Sequence, residues 1–252
     1  MKMDKPIYFI ADLHLSEQSP HLLALFRYFM TEKAPEAQAL YILGDLFDFW
    51  VGDDEHSKQI DEIKQLLLDL TSKGIACYFC HGNRDFLIGK KFAQETGVQL
   101  LPEYQKLVLF GVATLVCHGD TLCTDDIAYQ KFRKRVHQRW LQKLFLCLPL
   151  QWRINLAQRI RRHSQYDKKE KSLQIMDVNA QTVTEIFDKF QVEQIIHGHT
   201  HRQAIHYLEN GRKRIVLGDW RDELSVFVVE KDKAGYFLNL GLPEEYGSIK
   251  ET

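Results

Sequence analysis

The sequence lacks the features that would carry it through a membrane or cross-link it outside the cell. No stretch reaches the roughly 18 consecutive apolar residues of a membrane span, and the longest apolar run covers only residues 144–150. The five cysteines are an odd number without regular spacing, and no secretory signal precedes Pro6. We therefore expect a protein of the reducing cytosol. The formal net charge of −1 indicates no global attraction to nucleic acid.

The distribution of strand and helix patterns predicts an α/β protein with an insertion. Short strand patterns alternate with helical ones up to about residue 124, and strand patterns return from residue 193 onwards. Between residues 125 and 190 the patterns are helical only. We predict a layered β-sandwich flanked by helices, formed by residues 1–124 and 176–252 and interrupted by a helical insertion over 125–175.

Polar side chains follow five of the predicted strands at their carboxyl ends, where open α/β sheets bind ligands. A single such cluster is usually a turn or a helix cap. Five clusters rich in imidazole are difficult to explain by capping, which rarely needs histidine. The clusters are Asp12 with His14; Asp45 with Asp48; Asn83 with Arg84 and Asp85; His118 with Asp120; and His197 with His199 and His201.

The chemistry of these side chains predicts a metal centre. Imidazole together with carboxylate and amide oxygens, without thiolate, favours Mn²⁺, Fe²⁺ or Zn²⁺. Seven ligands are too many for one ion that must leave room for water and substrate, but they suffice for two ions that share a carboxylate. Two such ions activate a hydroxide and clamp the phosphoryl oxygens of an in-line displacement. The candidate ligands are Asp12, His14, Asp45, Asn83, His118, His199 and His201.

In order and spacing, these blocks resemble those of the calcineurin-like metallophosphoesterase family. The resemblance extends from Asp12 to His201. It implies a first metal held by Asp12, His14 and His201, a second held by Asn83, His118 and His199, and a bridging Asp45. It leaves His197 outside the ligand set, as a supporting or structural residue.

One departure from the family pattern concerns the leaving group. The family usually has histidine after the asparagine of the third block, where this chain has Arg84. Arginine cannot donate a proton near neutral pH, but its fork binds phosphate oxygens. A phosphate leaving group, with a second pKa near ~6, needs no proton, whereas an alkoxide benefits from one. We therefore predict a pyrophosphate-type substrate rather than an alkyl ester.

The insertion is strongly basic. Residues 127–166 contain ten basic residues and no acidic one, so the rest of the chain sums to −11. The basic residues are Lys131, Arg133, Lys134, Arg135, Arg139, Lys143, Arg153, Arg159, Arg161 and Arg162.

The apolar residues of the insertion keep helical spacing, and the pattern has more than one interpretation. Phe132, Val136, Trp140, Leu144 and Leu148 form one stripe. Such a helix lies in a membrane interface, or it belongs to a packed helix pair whose stripe meets the core. A nucleic-acid patch is also compatible with the charge, but the aromatic residues are aligned for burial rather than for base stacking.

A narrower resemblance covers nearly the whole chain. The strings at residues 78–87, 118–126 and 175–179 are similar to those of the diphosphatases that hydrolyse UDP-2,3-diacylglucosamine in bacterial lipid A synthesis. The resemblance implies release of UMP and 2,3-diacylglucosamine 1-phosphate, two Mn²⁺ ions, and no nucleic-acid partner. It implies a monomer bound peripherally to the cytoplasmic side of the inner membrane, with the insertion as a cap over the lipid.

The same resemblance implies particular roles for residues. Catalysis would involve Asp45, Asn83, Arg84 and His199. Substrate would contact Asn83, Arg84, Asp126, Ser164, Lys171 and His199, together with Lys168, which stands where relatives often have asparagine.

Two other functions remain open at this point. A phosphodiesterase acting on a soluble nucleotide or cyclic nucleotide would use the same ligands but would not depend on acyl chains. A metal-free interaction scaffold would keep the fold, but all seven ligand positions are filled, which argues against it.

Overall fold

The strands are short runs of mostly apolar residues, and those at the centre of the sheets are buried on both faces. The computed structural model describes residues 5–170 and 177–247. Its strands are β1 (Ile7–Ile10), β2 (Ala39–Ile42), β3 (Ala76–Phe79), β4 (Gln99–Leu100), β5 (Gln105–Leu109), β6 (Val112–Val116), β7 (Gln194–His197), β8 (Ala204–Tyr207), β9 (Lys213–Val216), β10 (Glu223–Val229) and β11 (Tyr236–Gly241).

The strands form two sheets. The first has the order β11-β10-β1-β2-β3-β4, and the second has the order β5-β6-β7-β9-β8. Strands β1 to β4 run parallel in the first sheet, and β6, β7 and β9 run parallel in the second. The carboxyl ends of neighbouring parallel strands lie at the same edge of a sheet, and the loops that follow them are therefore close together.

Helices cover the outer faces of the two sheets. One apolar cluster joins α1, α2 and α3 to the first sheet, a second fills the space between the sheets, and a third joins α7 to the second sheet. The layered sandwich predicted from the sequence is confirmed. The helices are α1 (Pro20–Tyr28), α2 (Lys58–Ser72), α3 (Lys90–Thr96), α4 (Ile127–Val136), α5 (Arg139–Leu146), α6 (Leu150–Glu170), α7 (Ala180–Phe190) and α8 (Glu244–Gly247).

The sequence pattern did not predict β4 and β5. Strand β5 lies at the edge of the second sheet, and its Val108 is 72% exposed. Its burial alternates along the strand, but the apolar Val108 stands on the exposed side, so the sequence lacks the alternation of apolar and polar residues that makes a half-buried strand recognisable. The sequence pattern predicts a first helix around residues 19–33, and the structure differs from this prediction. The α-helical part of this segment ends at Tyr28, and a wider turn follows over Phe29–Lys33.

The insertion helices, α4, α5 and α6, stand between β6 and α7 in chain order. The interpretation that their apolar stripe packs against the core is wrong. Trp140 is 64% exposed, Leu144 is 58% exposed and Phe132 is 41% exposed. The stripe also does not lie on one helix, because α4 ends at Val136 and α5 begins at Arg139. No helix in the described ranges is both long and apolar enough to cross a membrane.

One basic residue of the insertion is buried and attaches α6 to the core. The side chain of Arg153 is 2% exposed and donates to both carboxylate oxygens of Asp54. It also donates to the carbonyl oxygen of Val51 at 2.7 Å. A guanidinium, with its several donors on a planar fork, is suited to binding a carboxylate and a carbonyl oxygen together.

Two further basic residues attach the insertion helices beside the sheet edge. Arg161 pairs with the buried Asp48, and Arg133 pairs with the buried Asp120. The ten basic residues are therefore not one surface patch, since at least three of them bind acidic side chains outside the insertion.

Candidate metal centre

Five loops deliver the predicted ligands to one edge of the sandwich. They follow β1, β2 and β3 in the first sheet and β6 and β7 in the second. The structure brings all seven predicted ligands into one cluster there. They come from segments far apart in sequence: His14 and His201, for example, are separated by 187 positions.

The first group contains Asp12, His14 and His201. One ligand atom from each lies within 4.8 Å of those of the others. The Nε2 atoms of His14 and His201 are 3.2 Å apart, and His201 Nε2 lies 3.3 Å from Asp12 Oδ1. Two imidazole nitrogens that face each other at this distance need a proton or a cation between them.

The second group contains Asn83, His118 and His199, with Asp45 between the two groups. Asn83 Oδ1 lies 3.0 Å from His118 Nε2 and 2.8 Å from His199 Nδ1. Asp45 Oδ1 is 3.7 Å from His118 Nε2, and Asp45 Oδ2 is 3.9 Å from His14 Nδ1. This carboxylate therefore touches both groups, as a bridging ligand requires.

The donor set fits divalent cations. Asp12 Oδ1 is buried and accepts no well-formed hydrogen bond among the described residues, and its nearest positive charge would be the His201 imidazole at 3.3 Å; a buried carboxylate oxygen in this state favours a cation beside it. The nearby thiols do not compete as ligands, because burial raises the pKa of Cys80 and Cys123 to about 12. Oxygen and imidazole ligands without thiolate suit Mn²⁺, Fe²⁺ or Zn²⁺.

The backbone at this cluster is strained. Left-handed backbone is uncommon for residues other than glycine and persists where the surrounding structure enforces it, often at functional sites. The ligand residues in this conformation are Asp12 (φ 56°), His14 (φ 50°), Asp45 (φ 54°), His199 (φ 69°) and His201 (φ 58°).

Neighbouring groups orient two of the imidazoles. His118 Nδ1 donates to the carbonyl oxygen of Leu43 at 2.8 Å, which leaves Nε2 facing the cluster. His201 Nδ1 lies 3.3 Å from Asp219 Oδ2. Such partners fix the ring orientation of histidine ligands. Asp219 was missed by the sequence reasoning, although it follows β9 in the same way as the other clusters follow their strands.

The metal-free site has a strong preference for a proton at His201. Burial alone would lower the pKa of His201, but the carboxylates of Asp12 and Asp219 outweigh this effect and raise it to about 9. In turn, His201 lowers the pKa of Asp12 well below its usual range, although burial opposes the shift.

His197 lies beside the cluster rather than in it. Its side chain is completely buried, and its Nδ1 is 2.9 Å from the carbonyl oxygen of Gly198. Arg214 Nη1 approaches Nε2 at 3.3 Å. Burial, followed by the charge of Arg214, lowers the pKa of His197 to about 3, so the ring is neutral.

Arg84 lies at the cluster, as predicted. Its Nε is 3.6 Å from Asp45 Oδ2, and its Nη1 is 3.4 Å from Asp48 Oδ1. Its side chain is 20% exposed, so part of the guanidinium remains accessible. Arg161 contacts the same Asp48 and brings a second guanidinium to the cluster; no local motif marked it in the sequence.

The predicted substrate contacts of the insertion are only partly described. Asp126 caps α4 by accepting from the Tyr129 backbone N–H at 3.0 Å. Lys171 lies outside the described residues, and so do the side chains of Ser164 and Lys168. The ring of Tyr129, whose centre is 5.9 Å from that of His199, places the start of α4 against the metal cluster.

Comparison with known proteins identifies the class. A family model described as calcineurin-like phosphoesterase matches residues 5–203, and the chain belongs to this family. The structure of vacuolar protein sorting 29 from Cryptosporidium parvum superposes with a TM-score of 0.50 at 11% identity, over 95% of this chain and 98% of that one. At this identity the likeness concerns the fold alone.

Within the class, the chain is much more similar to particular relatives. It is 57% identical to the UDP-2,3-diacylglucosamine hydrolase of Haemophilus influenzae (strain PittGG), over 92% of this chain and 98% of the relative. It is also 57% identical to the UDP-2,3-diacylglucosamine hydrolase of Pasteurella multocida (strain Pm70), over 93% of this chain and 98% of the relative.

The raised pKa of His201 predicts that metal binding releases a proton. A ligating imidazole must be neutral, so Mn²⁺ affinity should rise about tenfold per pH unit from pH 7 and level off near pH 9. The protonated ring stabilises the metal-free fold below its ordinary pKa near ~6.5, and this contribution is lost as pH rises through about 9. Calorimetric titration in buffers of different ionisation enthalpy measures the proton directly.

Asp219→Asn serves as the matched variant for this measurement. It removes one of the two carboxylates that raise the pKa of His201, and the affinity should therefore level off at a lower pH. An affinity that is independent of pH between 7 and 9 in the unmodified protein would contradict the assignment.

Proposed function

We propose that the chain hydrolyses the pyrophosphate bond of UDP-2,3-diacylglucosamine to UMP and 2,3-diacylglucosamine 1-phosphate. One observation carries the proposal: the seven side chains required by the family converge at one edge, in a chain 57% identical to hydrolases named for this substrate. The finer assignment is two Mn²⁺ ions, with Asp12, His14 and His201 at the first, Asn83, His118 and His199 at the second, and Asp45 between them.

The protein's part in the reaction is to position the metal ligands and to compensate charge. Two bound divalent ions lower the pKa of an attacking water and neutralise charge on the phosphoryl oxygens. Asp45, whose side chain is only 2% exposed, lies between the two ligand groups and connects them. The backbone N–H of Arg84 donates to Asp45 Oδ1 at 2.9 Å, which fixes the carboxylate and brings Arg84 to the site.

Arg84 supports a phosphate leaving group. Its guanidinium lies beside the cluster with five N–H donors on a planar fork, suited to two oxygens of one phosphate. It carries no proton that it could transfer near neutral pH. A pyrophosphate substrate matches this chemistry, because both products leave as stable phosphates.

The insertion supports a lipid substrate and a membrane location. We assign residues 125–175 as the insertion and propose that it covers the acyl chains. Eight large apolar side chains of α4, α5 and α6 are more than a third exposed: Ile127, Phe132, Trp140, Leu144, Leu146, Trp152, Leu156 and Ile160. Exposed apolar surface of this extent, rimmed by basic residues, is typical of a membrane or ligand contact.

The contacts that the headgroup would make are also proposals. Asn83, Arg84 and His199 would bind the phosphates at the cluster. Asp126, Ser164, Lys168 and Lys171 would bind the sugar and phosphate from the insertion side. The protein would act as a monomer on the cytoplasmic side of the inner membrane.

The direct test of the proposed function is UMP release from UDP-2,3-diacylglucosamine. We expect turnover with Mn²⁺, none after chelation, and recovery when Mn²⁺ is restored. Asp45→Ala should abolish turnover, whereas Asp61→Ala, which removes an exposed carboxylate on α2, should not. Absence of UMP release from the Mn²⁺-loaded protein, with hydrolysis of a soluble nucleotide diester instead, would favour the phosphodiesterase.

Arg84→Ala should lower kcat on the lipid-linked diphosphate by about 10²–10³, the usual effect of removing one donor to developing charge. Arg84→Lys keeps the charge but not the fork, so it should recover only part of the loss. Arg27→Ala, which breaks an ion pair with Glu62 on the helical layer, controls for loss of an arginine. Full activity of Arg84→Ala on the diphosphate would refute the role given to this residue.

Replacing Trp140, Leu144 and Trp152 by glutamine should weaken binding to vesicles that contain anionic lipid. Burial of one large apolar side chain contributes about 1.5–3 kcal/mol, so each substitution should cost about tenfold or more. The matched control replaces Val108 and Tyr207, which are 72% and 74% exposed on the second sheet.

Cosedimentation with vesicles measures binding, and KM for substrates with long and short acyl chains measures the contact with lipid. Equal binding and equal KM for the triple variant and its control would contradict the proposed membrane and acyl-chain contact.

A further inference from the structure

His197 is a buried histidine next to the metal cluster that the metal assignment does not use. It ends β7, and Gly198 separates it from the predicted ligand His199. A completely buried imidazole needs partners for both ring nitrogens, because a buried polar atom without one loses its hydrogen bonds to water and gains nothing in return.

The two contacts of the ring select the same tautomer. The Gly198 carbonyl oxygen at 2.9 Å only accepts, so Nδ1 must carry the proton and donate. The Arg214 guanidinium at 3.3 Å only donates, so Nε2 must be the unprotonated acceptor. Both requirements are met by one neutral form, with the proton on Nδ1.

The Gly198 peptide that His197 holds is a junction of the metal cluster. Its N–H donates to the carbonyl oxygen of His118 at 2.8 Å, and its own oxygen also accepts from the Thr200 N–H at 2.9 Å. The next N–H, that of His199, donates to Asp12 Oδ2 at 2.7 Å. The two peptide groups that flank Gly198 thus connect the segment of His199 to the backbone of His118 and to the side chain of Asp12.

The surroundings of Gly198 and of the His197 ring leave little space. A Cβ atom on Gly198 would lie 2.3 Å from Asp12 Oδ2, and one on Gly119 would lie 2.6 Å from His197 Nδ1. Gly119, which follows the ligand His118, is therefore required by the imidazole of His197 as well as by its own φ of 114°.

Arg214 reaches this junction from β9. Its guanidinium approaches the ring of His197 through Nη1. This residue belongs to none of the motifs of the metal site and stands 17 positions beyond His197 in the chain. Its position explains why the imidazole presents Nδ1–H, and not a lone pair, to the Gly198 carbonyl.

We propose that Arg214 and His197 are positioning residues, which hold the Gly198 peptide and thereby keep His199 and His201 in their strained, metal-binding conformation. Left-handed backbone is unfavourable for residues other than glycine and persists where surrounding contacts enforce it, so both ligands depend on contacts of this kind. The inference rests on the proposed metal centre but not on the identity of the substrate.

The tautomer is testable without metal or substrate. Nitrogen NMR of histidine-labelled, metal-free protein should give His197 a protonated Nδ1 and an unprotonated Nε2, with the assignment made from His197→Phe. A neutral ring with its proton on Nε2 would overturn the proposal, since neither the contact with Gly198 nor the contact with Arg214 could then form.

The consequence for metal binding is testable by titration with Mn²⁺. His197→Phe keeps a ring of similar size but loses both hydrogen bonds, and its Mn²⁺ affinity should fall about 10–100-fold, the usual effect of losing a partner that orients ligands. Excess Mn²⁺ should restore its kcat. His197→Asn can still donate from Nδ2 to Gly198, so it should bind Mn²⁺ within about threefold of the unmodified protein.

Arg214→Met completes the test and covers the case in which His197→Phe fails to fold. It should weaken Mn²⁺ binding alone but have no further effect in the His197→Asn background, where Nε2 is absent. Arg212→Met, which breaks an ion pair with Asp188 beside the same strand, should leave affinity unchanged. Unmodified Mn²⁺ affinity in His197→Phe, or equal effects of Arg214→Met in both backgrounds, would refute the proposal.

A negative result here is distinguishable from failure of the proposed function. If the unmodified protein binds Mn²⁺ but releases no UMP, the proposed substrate is wrong. The role of His197 and Arg214 is then still tested by the Mn²⁺ affinities of the variants. If UMP is released and the variants bind Mn²⁺ as the unmodified protein does, the proposed function stands and the positioning role of His197 and Arg214 is refuted.

Discussion

The structure depends on the burial of two carboxylates, Asp12 and Asp45, whose side chains are at most 2% exposed at the edge where the two sheets meet. Removing a carboxylate from water costs several kcal/mol unless compensating charge is close. In the metal-free chain the compensation comes from protons and from Arg84: His201 is held protonated by Asp12, and burial raises the pKa of Asp45 despite His118 and Arg84. Divalent cations provide the same compensation more completely, and this is the physical reason for the site.

The fold concentrates this charge without filling the site with side chains. Parallel strands from both sheets end at one edge, and each loop that follows turns sharply to aim its polar residue inward. The cost is visible in the left-handed backbone of five ligand residues. Backbone and side-chain hydrogen bonds oppose that cost, and the Gly198 peptide, held by His197, is the point at which three ligand segments are joined.

The sequence predicts most of the fold and the cluster, because strand ends and imidazole content are local signals. It predicts less where the outcome depends on distant partners. The periodicity of Trp140 and Leu144 shows that they share a helix face but not what covers it, and the structure leaves that face exposed. In the sequence Arg153 resembles the other basic residues of the insertion, but its side chain is buried and pairs with Asp54. The role of His197 depends on Arg214, and β5 escapes prediction because it lies at a sheet edge.

The central claim is that seven side chains at one sheet edge hold a pair of metal ions. Electron paramagnetic resonance of the Mn²⁺-titrated protein tests it most directly, because ions about 3.5–4 Å apart are magnetically coupled. The account predicts two Mn²⁺ per chain with a coupled spectrum that is lost in Asp45→Ala. A single uncoupled ion in the unmodified protein, or a coupled pair that survives in Asp45→Ala, would contradict it.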